Sequence, residues 1–245
     1  MARYALLSDI HGNADALEAV LAQVRAAPVD GVMCLGDVVG YGAEPGACLD
    51  MVYESCDLVI LGNHDEAALS DGAMQRFNEN AKRSIVYTRE RLTREQVSWM
   101  RSWPRRASAL DLEMTHGAFG PDPWEYLCDG GAALRCFDGY EGVLGAVGHT
   151  HIPAVFTIGA DGLPEGRLLP NGARIPLPHD RRCIVNPGSV GQPRDRNPDA
   201  AWALLDTDEL TIQVHRASYD VEAAHRKIQA AGLPGRLGER LRIGA

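Results

Sequence analysis

Leu61-Gly62-Asn63-His64-Asp65 decides how this chain is read. It closes an apolar run, Leu58-Val59-Ile60-Leu61, that reads as a buried strand, so Asn63, His64 and Asp65 fall on the turn at its carboxyl end. In open α/β sheets that end of a strand is where ligands bind. An Asn carbonyl oxygen can ligate a metal, and the adjacent His can protonate a leaving group. Gly-Asn-His turns also form for reasons of turn chemistry alone, so the weight of the reading comes from the flanks.

Upstream, residues 2 to 8 form an apolar run that ends in Ser8-Asp9-Ile10-His11-Gly12-Asn13, and Leu17, Val20, Leu21 and Val24 follow at helical spacing. Asn13 is the expected N-cap, with Asp15 in the first turn. Gly31 to Leu35 is a second short run, ending in Gly36-Asp37-Val38-Val39-Gly40-Tyr41-Gly42. Pro45 to Ser55 then reads as a helix. Three β-α repeats, each delivering polar residues from a strand end, predict a parallel sheet with right-handed crossovers.

Downstream, residues 73 to 92 read as one helix with Phe77, Ala81, Ile85, Thr88 and Leu92 on one face. A capping box at Thr93 and Gln96 starts a shorter helix that stops before Pro104. The helical insert, about 73 to 103, flanks the strand-end residues within a single domain, 1 to 245. Residues 109 to 114 read as a strand delivering Thr115-His116-Gly117, and Gly142 to Val147 as another that closes in Gly148-His149-Thr150-His151. The last third is strand-like over 154 to 158, 183 to 186, 201 to 206 and 210 to 215, which predicts a second, more antiparallel sheet. A helix near Val221 to Ile228 precedes a Gly- and Arg-rich tail expected to be loosely ordered.

Composition bounds the rest. The chain has 245 residues, 45% of them apolar, and no apolar run approaches the roughly 20 residues needed to span a bilayer. The opening Met-Ala-Arg-Tyr-Ala-Leu-Leu-Ser-Asp reaches a polar residue too soon for a signal peptide, so the expected location is cytoplasmic, with no membrane partner. Six cysteines without a C-x-x-C pair read as free thiols. A net charge of -9 argues against a nucleic-acid polymer as ligand, and hence against a nuclease.

Collected in order, the strand-end groups are Asp9, His11, Asp37, Asn63, His64, His116, His149 and His151, and they hold five of the protein's eight histidines. Nitrogen and oxygen donors without thiolate suit Mn²⁺, Fe²⁺, Co²⁺, Ni²⁺ or Zn²⁺. There are too many donors for one tetrahedral ion. Two divalent ions sharing a carboxylate would use them.

The succession D-x-H, G-D-x-x-G, G-N-H-D, H-G and G-H-T-H, from residue 8 to residue 151, resembles the calcineurin-like metallophosphoesterase superfamily. Asn186-Pro187-Gly188-Ser189-Val190-Gly191 also resembles a segment of its small bacterial members. The resemblance implies an α/β/β/α four-layer sandwich of two mixed β-sheets flanked by helices. It implies Asp9, His11 and His151 on one metal, Asn63, His116 and His149 on a second, Asp37 between them and His64 as general acid. It implies a phosphoric ester hydrolase in which a metal-activated hydroxide attacks the phosphorus. Within the family, protein Ser/Thr phosphatases continue the second motif to an Asp-Arg pair that steadies the catalytic His and holds phosphate. Here Gly40 and Tyr41 stand in those places. Asp65 or a backbone carbonyl is then expected to orient His64, and Arg194, among the arginines near residues 181 to 196, to bind phosphate.

The leading expectation is a phosphatase acting on a phosphomonoester, on a small molecule or a phosphoprotein. The alternative is a phosphodiesterase acting on cyclic nucleotides or dinucleotides. The third reading, a noncatalytic metal-binding scaffold, is disfavoured because every ligand position and His64 are present.

Overall fold

The computed structural model describes residues 2–109 and 112–245. The first third folds as its β-α repeats predict: β1 (Arg3–Leu7), α1 (Ala14–Ala26), β2 (Gly31–Cys34), α2 (Pro45–Ser55) and β3 (Leu58–Val59). The three strands are parallel, in the order β3-β2-β1. Asn13 caps α1, its side-chain oxygen accepting the Ala16 N–H at 3.2 Å. A helix, α3 (Asn63–Leu69), starts within the stretch 61 to 65, so Asn63 and His64 belong to its first turn.

The one helix expected over 73 to 92 is two, α4 (Asp71–Met74) and α5 (Glu79–Arg89). Asn78 separates them by accepting the Ala81 N–H, which starts α5 afresh and leaves Phe77 outside the core stripe. α6 (Arg94–Met100) carries the expected capping box, with Thr93 and Gln96 each bonding the other's backbone. The strand expected over 109 to 114 is divided between antiparallel β4 (Arg106–Ala109) and β5 (Leu112–Thr115), while Leu110 and Asp111 lie outside the described residues. The remaining elements are α7 (Gly130–Asp138), β6 (Leu144–Ala146), β7 (Ala154–Ile158), β8 (Pro164–Leu168), β9 (Arg174–Pro176), β10 (Arg182–Asn186), β11 (Ala200–Asp206), β12 (Thr211–Ala217), α8 (Val221–Ala230) and α9 (Gly235–Ile243).

Two mixed six-stranded sheets result, ordered β3-β2-β1-β11-β12-β9 and β4-β5-β6-β10-β7-β8. This corrects the expectation that the last third builds a sheet of its own. β11 and β12 instead extend the first sheet antiparallel to β1, while β7 and β10 join β5 and β6 in the second.

The alternation of each strand decides the layering. Ala5, Leu7, Val32 and Cys34 face the α1 and α2 side with Leu17, Val20 and Leu49, whereas Tyr4, Leu6, Met33 and Leu35 meet Met114, Leu144 and Val185 between the sheets. On the far face of the second sheet, Ile184 and Phe156 pack under Ala133, Cys136 and Phe137 of α7. Helix, sheet, sheet, helix is the sequence of layers. The tail expected to be loose is α9, whose Leu237 and Leu241 pack on Ala224 and Ile228 of α8. Among the described residues no helix is long and apolar enough to cross a membrane.

Candidate metal centre

The strand-end residues come together where the first sheet and the second open on one side. Asp9 and His11 follow β1, Asp37 follows β2, Asn63 and His64 follow β3, His116 follows β5, and His149 and His151 follow β6. Asp9, His11, Asp37, His64, His116, His149 and His151 are each at most 5% exposed. Three groups have donor atoms within 4.8 Å of one another: Asp9-His11-His151, His11-Asp37-His64 and Asp37-His116-His149. Asn63 Oδ1 adds to the third, 3.1 Å from His116 Nε2.

Reaching this cluster requires backbone in an unusual conformation. Asp9, His11, Asp37, His149 and His151 all have positive φ, between 50° and 67°, as does Tyr41 at 59°. The left-handed region costs a non-glycine residue about 1–2 kcal/mol, and only two other non-glycine residues among those described adopt it. Such strain collects where function holds it in place. Gly62 adds a steric demand of its own, because a Cβ there would overlap the Asp37 carboxylate.

Four histidines are oriented by a common device. A carbonyl only accepts, so the ring nitrogen facing one must carry the proton. His116 Nδ1 donates to Leu35 O at 2.7 Å, His11 Nδ1 to Val39 O at 3.2 Å, His151 Nδ1 to Gln192 O at 2.6 Å and His149 Nε2 to Trp124 O at 3.0 Å. When neutral, each ring then offers its other nitrogen as a lone pair, the state a metal needs.

These lone pairs converge. His151, His11 and His116 place Nε2 at 3.2, 3.8 and 3.9 Å from Asp9 Oδ1, a buried oxygen that receives no hydrogen bond. His11 Nε2 and His151 Nε2 stand 3.2 Å apart with both Nδ1 atoms committed as donors, so in the neutral rings two lone pairs face each other. A cation removes that conflict and satisfies Asp9 Oδ1. The donor set fits divalent ions of the Mn to Zn series.

The electrostatics are those of buried carboxylates among rings that burial keeps neutral, His116 excepted. Burial pushes the Asp37 carboxyl up, but His116, His64 and His11 outweigh it and hold it well below the ordinary carboxylate range. Burial lowers His116, and Asp37 and Asp9 outweigh that, raising it to about 9. Burial drives His64 down to about 4 and His149 to about 3, and His11 and His151 well below their usual value. Asp9 is raised to about 6, chiefly by burial.

Asp65 departs from the role expected of it. Its carboxylate accepts the backbone N–H groups of Asp37, Gly62 and Val39 at 2.8, 3.0 and 3.1 Å, which ties the β2 loop to the start of α3. It therefore does not orient His64. No carbonyl does so either, since His64 Nδ1 is buried without a partner.

A cleft of about 620 Å³ opens from the cluster, lined by Asp37, Asn63, His64, His149 and His151 at its base. Arg194 lines it, with its buried Nε unpaired. Of its neighbours, Arg181 pairs with Glu165 and Arg182 bonds the carbonyls of Phe137 and Gly142. The sequence reading missed the walls: Trp124, Tyr126, Phe77, Arg76 and Arg105. Tyr126 stacks on His149 at 4.0 Å between ring centroids, and the Arg105 guanidinium lies 5.9 Å over Trp124. The one available signal was two aromatics in a Gly-, Pro- and Asp-rich loop.

Residues 3–210 match the calcineurin-like phosphoesterase superfamily domain. The chain belongs to that superfamily. An uncharacterized protein of Methanocaldococcus jannaschii is 34% identical over 98% of this chain and 97% of its own. The crystal structure of a metallophosphoesterase from Sphaerobacter thermophilus superposes with a TM-score of 0.86 at 33% identity, covering 100% of this chain and 99% of the other. A symmetrical bis(5'-nucleosyl)-tetraphosphatase of Sodalis glossinidius is 33% identical over 57% of this chain and 49% of its own. This calcineurin-like phosphoesterase is a metal-dependent phosphoric ester hydrolase, and the family implies divalent metal ions at the cluster described above.

Proposed function

We propose that this protein hydrolyses a phosphodiester or phosphoanhydride that carries a flat aromatic group such as a nucleobase. The supporting observation is the cleft. At about 620 Å³ it has the capacity of a site for a whole small molecule rather than for a phosphoryl group alone, and Trp124, Tyr126 and Phe77 give it aromatic walls. A diester needs that space for its second substituent. This reading places the diester ahead of the monoester, the reverse of the order expected from sequence.

In this reading Asp9, His11 and His151 would hold one divalent ion and Asn63, His116 and His149 a second, with Asp37 shared by both groups. When bound, such ions offset the charge that develops on the phosphoryl oxygens and acidify water. The chain supplies the rest. Arg194 presents a guanidinium to a non-bridging oxygen or to a neighbouring phosphate. His64 turns its sealed Nδ1 away from the cleft that it lines, so Nε2 is the atom that faces the departing oxygen. The ring, held neutral down to about 4 by burial, becomes the imidazolium when a phosphoryl anion in the cleft favours its charge, and it returns to the neutral ring on giving up the Nε2 proton. Trp124 and Tyr126 stack the aromatic group and exclude water. We read the whole chain as one domain, with α4 to α6 as an insert whose first part, residues 72 to 78, forms one wall of its cleft.

A second reading, a phosphomonoesterase acting on a small molecule or a phosphoprotein, is favoured by Arg194, whose positive charge acts on Asp9, His11, His64 and His151. A paired assay decides. Metal-stripped protein is supplied with Mn²⁺, Fe²⁺, Co²⁺, Ni²⁺ or Zn²⁺ and offered bis(p-nitrophenyl) phosphate and p-nitrophenyl phosphate. Higher kcat/KM on the diester is the expected result. Preference for the monoester would install the second reading, and no turnover on either by protein loaded with metal would return the scaffold.

A further inference from the structure

His64 is the exception among the cluster's histidines. The other four are each tethered through one nitrogen to a backbone carbonyl, whereas His64 Nδ1 is buried and bonds to nothing. A ring that must meet a departing oxygen within hydrogen-bond reach still has to be held in one rotamer. What surrounds the ring is aromatic. Tyr41 lies 4.3 Å from it between centroids at an interplanar angle of 56°, Phe77 4.6 Å away edge-on, and His11 4.8 Å away edge-on. Beneath it lies the backbone of Gly40, so close that a Cβ at that position would overlap Nδ1.

The local sequence builds this slot at a cost. Tyr41 has φ 59°, which a side chain larger than that of glycine, Asn or Asp seldom adopts. Gly40 and Gly42 flank it. A Cβ on Gly42 would strike the carbonyl oxygens of His11 and Gly12, so the loop passes flush against the D-x-H turn only without one. The strained backbone turns the Tyr41 ring back between His11 and His64, at 4.6 and 4.3 Å. Tyr41 also packs against the small apolar cluster of α8 and α9. Phe77 arrives from the break between α4 and α5, so two separate parts of the chain close on one imidazole.

We propose that Tyr41, with Phe77 opposite and Gly40 beneath, is the positioning residue of His64: ring packing in a sealed slot replaces the side-chain carboxylate as the means of holding the acid. The proposal rests on the reading of His64 as general acid. It explains why Gly40 stands where an Asp is expected to steady the ring, since a side chain there would occupy the space the imidazole fills. It also separates orientation from charge. Packing fixes the rotamer without adding a negative partner beside Nδ1.

Leaving-group dependence tests it, because a misplaced acid matters only when the departing oxygen needs a proton. Two diesters are compared, one releasing nitrophenolate and one releasing an alkoxide, with wild type and Y41A, Y41F, F77A and H64A, each checked for metal content and Tm. In Y41A, kcat on the alkoxide ester is expected to fall about 10- to 100-fold, a large part of the 10²–10⁴ that general acid catalysis contributes. The nitrophenyl ester and both KM values should change less than about threefold. Y41F, which keeps the ring, should restore the lost rate, and F77A should fall between them. Equal losses on both esters in Y41A, or a Y41F as impaired as Y41A, would overturn the proposal. If H64A loses the alkoxide ester while Y41A keeps it, only the slot is wrong. If H64A keeps it, the acid reading fails and the slot with it.

Discussion

Asp37 shows how much one carboxylate is asked to do here. Its Oδ1 accepts the His64 N–H at 2.8 Å, while Oδ2 lies 3.3 Å from His116 Nε2 and 3.6 Å from His11 Nε2, so one group faces both halves of the cluster. Asp37→Asn keeps the acceptor for His64 and removes the charge. Metal analysis after dialysis is expected to show both ions lost together, and retention of one would remove Asp37 from the place between them. At this scale the sequence was informative, because polar side chains that interrupt apolar runs at strand ends stand out without any knowledge of the fold. The orienting partners did not stand out. Leu35, Val39, Trp124 and Gln192 serve through their carbonyls, which every residue possesses, and Asp65 satisfies backbone N–H groups where a catalytic contact was expected.

Elements were legible where the signal is local and obscure where it is not. The α1 stripe, the Asn13 cap and the capping box at Thr93 and Gln96 depend on neighbours three or four residues away, and all three appear as expected. Strand partners depend on residues far along the chain. The segment 201 to 206 reads as a strand in either sheet, and only its register with β1, Leu6 opposite Ala203, assigns it. The tail was misread because composition hid a spacing: Leu237 and Leu241 lie four apart on one face of α9. Leu241 is 3% exposed, and Leu241→Ala should cost about 2 kcal/mol, the low end for a buried leucine since its cluster is small. Urea denaturation measures it. A loosely ordered tail would show no loss.

For the molecule as a whole, the cluster makes stability of the metal-free protein depend on pH in both directions. His11, His64, His149 and His151 resist protonation when folded, His64 down to about 4 and His149 to about 3, yet in the unfolded chain they titrate near 6.5. Their stabilising effect is complete above 6.5 and is lost as pH falls below it. Asp9 and Asp65, raised to about 6 and about 7 chiefly by burial, keep protons that the unfolded chain releases, and so offset part of that loss. His116 works the other way: held protonated to about 9, it contributes fully below 6.5 and loses that contribution as pH rises through 9. In a chelator, Tm should therefore peak between about pH 6 and 7 and decline on both sides, and a Tm that climbs steadily to pH 9 would contradict this balance. The order of strands has a different consequence, in time. β1 is made well before its antiparallel partner β11, which lies about 200 residues downstream, Arg3 opposite Asp206. Until that segment has left the ribosome, the central strand of the first sheet has one open edge and Asp9 has no His151 to face. A strand made early is thus enclosed late, and closure of the first sheet must wait for a segment about 200 residues further along.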